Sequence, residues 1–144
     1  MKTHHLLAFL SYVVATMVLG IVWHLVAFDS YYKALQVYRD DVIIPFGFVS
    51  IVIQATAWTY LYDRLFAGES VLRGAVKFGC FAAPLAWSYF VIAVAAKHHM
   101  ASVSGFVAIE TAFVVVHYIV VSPLIALAFA YRKGAPHGLR RQPG

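Results

Sequence analysis

Two ionisable residues, Glu110 and His117, lie inside the longest apolar stretch of the chain, Val103–Tyr131. They are seven positions apart, which places both side chains on one face of an α-helix, roughly 10 Å apart along its axis. An ionisable side chain that faces hydrocarbon costs at least about 2.5 kcal/mol, so this face must contact protein. The predicted inward stripe comprises Phe106, Glu110, Val114, His117 and Val121. The opposite face, which can contact lipid, comprises Ala112, Val115, Val116 and Ile119.

His24 and Gln54 are the polar residues of other apolar stretches that can share this space, provided that the first and last helices are neighbours. With sequential helices antiparallel, His24 lies about one turn below the outer surface and Glu110 about 10 Å below it. Gln54 and His117 lie near the midplane. We therefore predict a polar pocket, open to the outer side, in which Glu110 binds a proton, a small cation or an amine-like solute. His24 and His117 would relay protons or position the ligand.

Glu110 also has a purely structural interpretation. A neutral or paired carboxyl group can join helices, and buried polar side chains in membranes do so for about 0.6 kcal/mol each. The protein would then be a non-catalytic accessory or assembly subunit of a larger membrane complex. A tightly bound partner favours this alternative, whereas a proton-dependent or cation-dependent change in the isolated protein favours the pocket.

A second possible site is a metal site at the outer rim, formed by His98, His99 and Met100 with Asp29. Imidazole with thioether favours copper, whereas imidazole with carboxylate favours zinc or iron. Adjacent histidines on a helix point apart, so this site requires a loop conformation. The alternative is a pair of solvated histidines in a turn.

A third interpretation is a b-type haem held between His24 and His117, as bundles often hold haem between facing helices. The helical rise sets these histidines roughly 10 Å apart in depth, which argues against them as opposed axial ligands. The sequence contains no nucleophile elbow, P-loop, HExxH motif or dinucleotide fingerprint. A metal-dependent membrane enzyme stays open as an alternative, and the sequence identifies no cofactor.

The composition predicts that these helices lie in a lipid bilayer. Hydrophobic residues make up 62% of the chain and charged residues 12%, with a mean hydropathy of +0.79, which is typical of an integral membrane protein in a lipid bilayer. The net charge of +5 comes from basic residues next to membrane ends, so no nucleic-acid partner is predicted. The single cysteine, Cys80, excludes an internal disulfide.

The apolar runs predict a single all-α domain over residues 1–131, a bundle of four transmembrane helices at about 6–28, 42–62, 78–96 and 103–131. We interpret residues 29–41 as an interfacial loop or short surface helix with its tyrosines at headgroup level. Residues 63–77 are the second connection, and Pro84 is a predicted kink. Residues 132–144 form a basic tail, predicted to be disordered.

The distribution of basic residues predicts the orientation. The N-terminus, second connection and tail hold Lys2, Arg64, Arg73, Lys77, Arg132, Lys133, Arg140 and Arg141, whereas the first and third connections hold Lys33, Arg39 and Lys97. Both termini are therefore predicted to be cytoplasmic, with the Tyr-rich loop and the turn 97–100 on the outer, periplasmic side. Small residues of helices 1 and 2 favour a homo-oligomer or a membrane partner subunit: Thr16, Gly20, Gly47 and Ser50.

Several short segments resemble a group of uncharacterised bacterial membrane proteins of about this size with four predicted helices. They are Trp23-His24 with Phe28 and Tyr31-Tyr32, the run IIPFGF at 43–48 with Gln54, the run LYDRLF at 61–66, and Ala95-Ala96-Lys97. The resemblance implies the four-helix layout and a bacterial inner-membrane location. It implies no activity, cofactor or catalytic residue.

Overall fold

The structure of the chain, a computed structural model, describes residues 3–39 and 41–134, with side chains as far as Tyr131. All regular elements in these ranges are helical, which confirms the predicted all-α class. Four helices are long and apolar enough to cross a membrane, as the composition predicts. Residues 135–144 of the predicted basic tail lie outside the described residues.

We number the helices α1 to α5 in chain order. The four long helices are α1, Thr3–Ala27; α3, Ile44–Leu65; α4, Val71–Ala95; and α5, Val103–Gly134. The short helix α2, Asp29–Leu35, follows α1 directly. Of the two predictions for this region, the short helix is therefore the one observed.

Two of the four long helices contain a widened π-helical turn. α1 is an α-helix to Gly20 and continues as a π-helix over Ile21–Ala27, and α4 has a π-helical segment at Ser88–Ile92. Insertions of this kind are rare and are often found at functional sites. The first one contains His24. The second follows Pro84, which lacks a backbone N–H but does not end the helix, since α4 continues to Ala95.

The start of α4 differs most from the sequence prediction. The helix begins at Val71 instead of near residue 78, so Arg73 and Lys77 lie on its first turns and not in a loop. Both side chains pair with Glu69, which precedes the helix. Charged residues had suggested a loop here, but long basic side chains on a terminal helical turn can extend to the interface while their stems stay on apolar surface.

α5 is the central helix of the bundle. Half of its apolar span is buried (50%), against 22% in α1, 22% in α4 and 11% in α3. It packs along both α1 and α4, whereas α3 packs mainly on α1. The predicted inward stripe of α5 is buried, and the predicted lipid face is exposed, as the spacing requires.

The two ends of the bundle differ in packing. We call the end with Thr3 the N-terminal end, and the end covered by α2 the capped end. At the N-terminal end, aromatic side chains from α3, α4 and α5 form a packed cluster: Trp58, Tyr62, Phe78, Tyr118 and Phe129. At the capped end, the first two turns of α3 are exposed on every side. Cavities lie between these turns and the neighbouring helices.

Candidate functional site

A cavity of about 380 Å³ lies in the capped half of the bundle, between α1, α3, α4 and α5. All four residues of the predicted pocket line it: His24 from the π-helical turn of α1, Gln54 from α3, and Glu110 and His117 from α5. The predicted pocket requires the first and last helices to be neighbours, and α1 does pack against α5. Most of the remaining lining is aliphatic or aromatic.

Glu110 and His24 form the first polar level of the cavity. The Nε2 atom of His24 lies 3.3 Å from Oε1 of Glu110, and the Tyr38 hydroxyl donates a hydrogen bond to the same oxygen at 3.1 Å. Glu110 is buried, with 7% of its surface exposed. A buried carboxyl group without such partners would be strongly unfavourable, so these contacts stabilise it in place.

The other ring nitrogen of His24 determines how many protons the pair holds. Nδ1 lies 3.0 Å from the carbonyl oxygen of Gly20, which can only accept, so Nδ1 carries a hydrogen. A hydrogen bond between Nε2 and Glu110 then requires one more proton, on the imidazole or on the carboxyl group. In either arrangement the pair shares this proton and has no net charge. Loss of the proton leaves one negative charge facing the cavity.

Tyrosines from the segment after α1 cover this level. The rings of Tyr32 and Tyr38 stack with centroids 5.0 Å apart, and Tyr32 also contacts the His24 ring at 4.9 Å. Burial raises the pKa of Tyr32 above its ordinary value, and the charge of Glu110 raises it further. The same causes raise the pKa of Tyr38, so both phenols are neutral at physiological pH.

His117 and Gln54 belong to a second polar level, nearer the N-terminal end. The Nε2 atom of His117 lies 2.9 Å from the Thr16 hydroxyl. Tyr12 donates to the Gln54 side-chain oxygen at 2.9 Å, and the Gln54 amide donates to Ser50 at 3.0 Å. These bonds join α1 to α5 and to α3. Two of the partners, Thr16 and Ser50, belong to the small residues that were considered for self-association.

One expectation about depth is corrected by these contacts. The tyrosines of residues 29–41 are not all at headgroup level, since Tyr32 is buried and the Tyr38 hydroxyl reaches Glu110. The small residues considered for self-association line the cavity, and self-association stays a prediction: Thr16, Gly20, Gly47 and Ser50. The sequence contained no signal for the role of Tyr38, because the turn that brings it back over the bundle follows no periodic pattern.

The predicted outer metal site, at His98, His99, Met100 and Asp29, stays a prediction. His98 and His99 are exposed, Met100 is half-buried, and Asp29 accepts a hydrogen bond from Lys33. Within the described ranges, three potential metal ligands do come together at the N-terminal end: His4, His5 and Asp63. Their ligand atoms lie within 4.8 Å of one another. The turn at 97–100 instead joins α4 to the end of α2, through a hydrogen bond from Ala101 N to Leu35 O.

The two histidines considered for haem occupy different polar levels. His24 contacts Glu110, and His117 contacts Thr16, which precedes His24 by about two turns of α1. The arrangement therefore does not present them as two opposed ligands for one iron. Their partners fit hydrogen bonding and proton exchange better.

Comparison of the chain with protein-family models, curated proteins and solved structures finds no match. The resemblance to bacterial four-helix membrane proteins therefore stays a prediction from sequence. Any functional conclusion must come from the cavity and its residues.

Proposed function

We propose that this chain is a small integral membrane protein that binds or transports a small cation in the capped-end cavity, in exchange for the proton of the His24–Glu110 pair. The contact between Nε2 of His24 and Oε1 of Glu110, at 3.3 Å inside the cavity, is the observation that supports this most directly. With the proton in place the pair is neutral, and without it Glu110 supplies the single negative charge that a cation requires. Proton and cation therefore compete for one carboxylate.

The cavity lining favours an amine-like solute over a bare metal ion. A volume of about 380 Å³ suits a small organic ligand, and Glu110 is the acidic residue among its lining side chains. Aromatic rings from α5 lie on the same lining: Phe106, Phe113 and Tyr118. An alkylammonium group is attracted to aromatic faces while its charge pairs with a carboxylate, so both parts of such a ligand find partners here.

We further propose a bacterial inner-membrane location with both termini cytoplasmic. The four apolar helices and the concentration of Lys and Arg at the N-terminal end support this orientation. The capped end, and the cavity beneath it, would then face the periplasm. Four helices rarely enclose a complete pathway, so transport would require a homo-oligomer or a partner subunit.

Binding to the detergent-purified protein tests this proposal. Tetraethylammonium keeps its charge at all pH values and serves as the organic probe, with sodium as the inorganic one. Calorimetry in two buffers of different ionisation enthalpy measures the protons released. We expect one proton to be released per bound cation. The dissociation constant should rise about tenfold for each unit by which the pH falls, over the range in which the pair is protonated.

Glu110→Gln keeps the shape of the side chain but removes its titration, so this variant should lose both binding and proton release. Glu69→Gln is the matched control, because Glu69 lies at the N-terminal end and outside the cavity lining. The proposal is wrong if Glu110→Gln binds the probes as the wild type does, or if neither probe binds the wild type.

The accessory-subunit alternative is supported by α3. Its first two turns are exposed on every side, and a second cavity of about 400 Å³ separates them from α1. A helix from another protein could pack on this segment. Native mass spectrometry of the protein purified in a mild detergent distinguishes the two functions. A stoichiometric partner, together with unchanged stability of Glu110→Gln at every pH, would favour the subunit.

A further inference from the structure

A second group of chemically active side chains lies at the N-terminal end, far from the cavity. His4 and His5 lie in the first turn of α1, and Asp63 lies in the last turn of α3. One ligand atom from each of the three side chains lies within 4.8 Å of the other two. The rise of α1 places His5 about 28 Å from His24, so this group is independent of the proposed cation site.

The two histidines are adjacent in sequence, yet their rings converge. Their ring centroids are 4.3 Å apart, and both rings contact Phe129 of α5, at 5.2 and 5.5 Å. Adjacent side chains on a helix start about 100° apart around its axis. Packing on one common aromatic ring of α5 brings the two imidazoles together despite this divergence.

Asp63 completes the group from the neighbouring helix. Its Oδ2 atom lies 3.1 Å from Nε2 of His5. Tetrahedral zinc has ligands about 2.0–2.2 Å from the metal, which sets neighbouring ligand atoms roughly 3.3 Å apart. The His5–Asp63 separation of 3.1 Å is close to this value. His4 is buried and His5 and Asp63 are partly buried, so water is restricted around the group.

We propose that His4, His5 and Asp63 bind one zinc ion at the N-terminal end of the bundle. Two imidazoles and one carboxylate are a set of ligands that zinc accepts, with the fourth position left for water. Hard ions such as magnesium and calcium prefer oxygen ligands throughout and are disfavoured by the two imidazoles. The ion would join the first turn of α1 to the last turn of α3, and so stabilise the N-terminal end.

Metal counting on the full chain tests the site. The protein carries an affinity tag without histidine, is purified without chelator, incubated with zinc chloride and desalted. We expect one zinc ion per wild-type chain. His5→Gln and Asp63→Asn should each raise the dissociation constant by at least about 100-fold, because the loss of supporting residues around metal sites alone costs 10–100-fold.

The double variant His98→Gln, His99→Gln is the matched control, since it removes the other pair of adjacent histidines. It should retain one zinc ion with unchanged affinity. Loss of zinc in this control, or unchanged affinity in both His5→Gln and Asp63→Asn, would overturn the proposal.

A thermal readout separates this site from the cavity and reports on folding of the variants. Zinc should raise the melting temperature of the wild type and of Glu110→Gln equally, and should leave that of His5→Gln unchanged. Cobalt substitution gives a visible spectrum that distinguishes tetrahedral from octahedral coordination. An octahedral spectrum with no zinc-dependent shift of the wild type would contradict the site.

Discussion

The two ends of this bundle are built from the same four helices but pack differently. At the N-terminal end, Phe78 of α4 contacts Tyr62 of α3 and Tyr118 of α5 through ring-to-ring packing. At the capped end, α3 and α4 both line a cavity, and polar side chains of α1 and α5 meet across it. One end is therefore a conventional core, whereas the other is an internal space.

This difference shows how a small bundle can keep a polar cavity in an apolar environment. The aromatic cluster supplies dispersion contacts that hold α3 and α4 together at one end. The exposed first turns of α3 can then stand away from the bundle at the other end. The polar residues that line the space are joined to one another, which avoids buried groups without partners. The aromatic core and the cavity are thus separated along the helix axes.

Among the changes that test this comparison, removal of aromatic side chains should have the largest effect on the free energy of unfolding. Phe78 is fully buried (0% exposed) among rings of three helices. Phe78→Ala should lower the free energy of unfolding by about 3–5 kcal/mol. Phe106→Ala at the capped end is the matched variant, and we expect a smaller loss because one side of this ring faces the cavity and packs against no atoms there. Equal losses in equilibrium unfolding would contradict the comparison.

Replacing a glycine by alanine adds a methyl group, and this tests the same difference between the two ends in the opposite direction. A Cβ on Gly74 would overlap the Tyr62 hydroxyl, whereas a Cβ on Gly20 would meet no atom within 4 Å outside its own helix. Gly74→Ala should therefore destabilise the protein by about 1–3 kcal/mol. Gly20→Ala should leave it unchanged or stabilise it by up to about 1 kcal/mol, through better helix propensity. Thermal unfolding of both variants in one detergent is the measurement.

The smallest expected effect concerns the cover of the cavity. Tyr38→Phe removes the hydrogen bond to Glu110, so unfolding should become easier by about 0.5–1.5 kcal/mol if the carboxyl group is neutral and by about 1.5–3 kcal/mol if it is charged. Tyr31→Phe is the control, because Tyr31 and Tyr38 are equally exposed, at 42%. Equal losses in equilibrium unfolding of the two variants would show that the bond to Glu110 does not stabilise the cover.

Much of the candidate site followed from helical periodicity alone. The seven-residue spacing of Glu110 and His117, together with the energetic penalty of facing lipid, placed both side chains inside the bundle. Antiparallel connections placed His24 near Glu110 and Gln54 in the same space. These inferences depend on local geometry and burial, which a single sequence records well.

The contacts between distant segments depended on the tertiary structure. The chain contains two pairs of adjacent histidines, and the sequence analysis placed a possible metal site at His98-His99 and none at His4-His5. Only the packing of α1 on α3 brings Asp63 to the first pair, from 58 positions away. The chain reversal after α2 likewise brings Tyr38 to Glu110, 72 positions away.

Hydrophobicity and the 3.6-residue period are local properties of the chain, so the four long apolar helices and the buried face of α5 could be predicted from the residues alone. The tertiary structure decided which polar groups meet. Hydrogen-bond partners must approach within about 3 Å, and that depends on how whole helices pack, tilt and reverse direction.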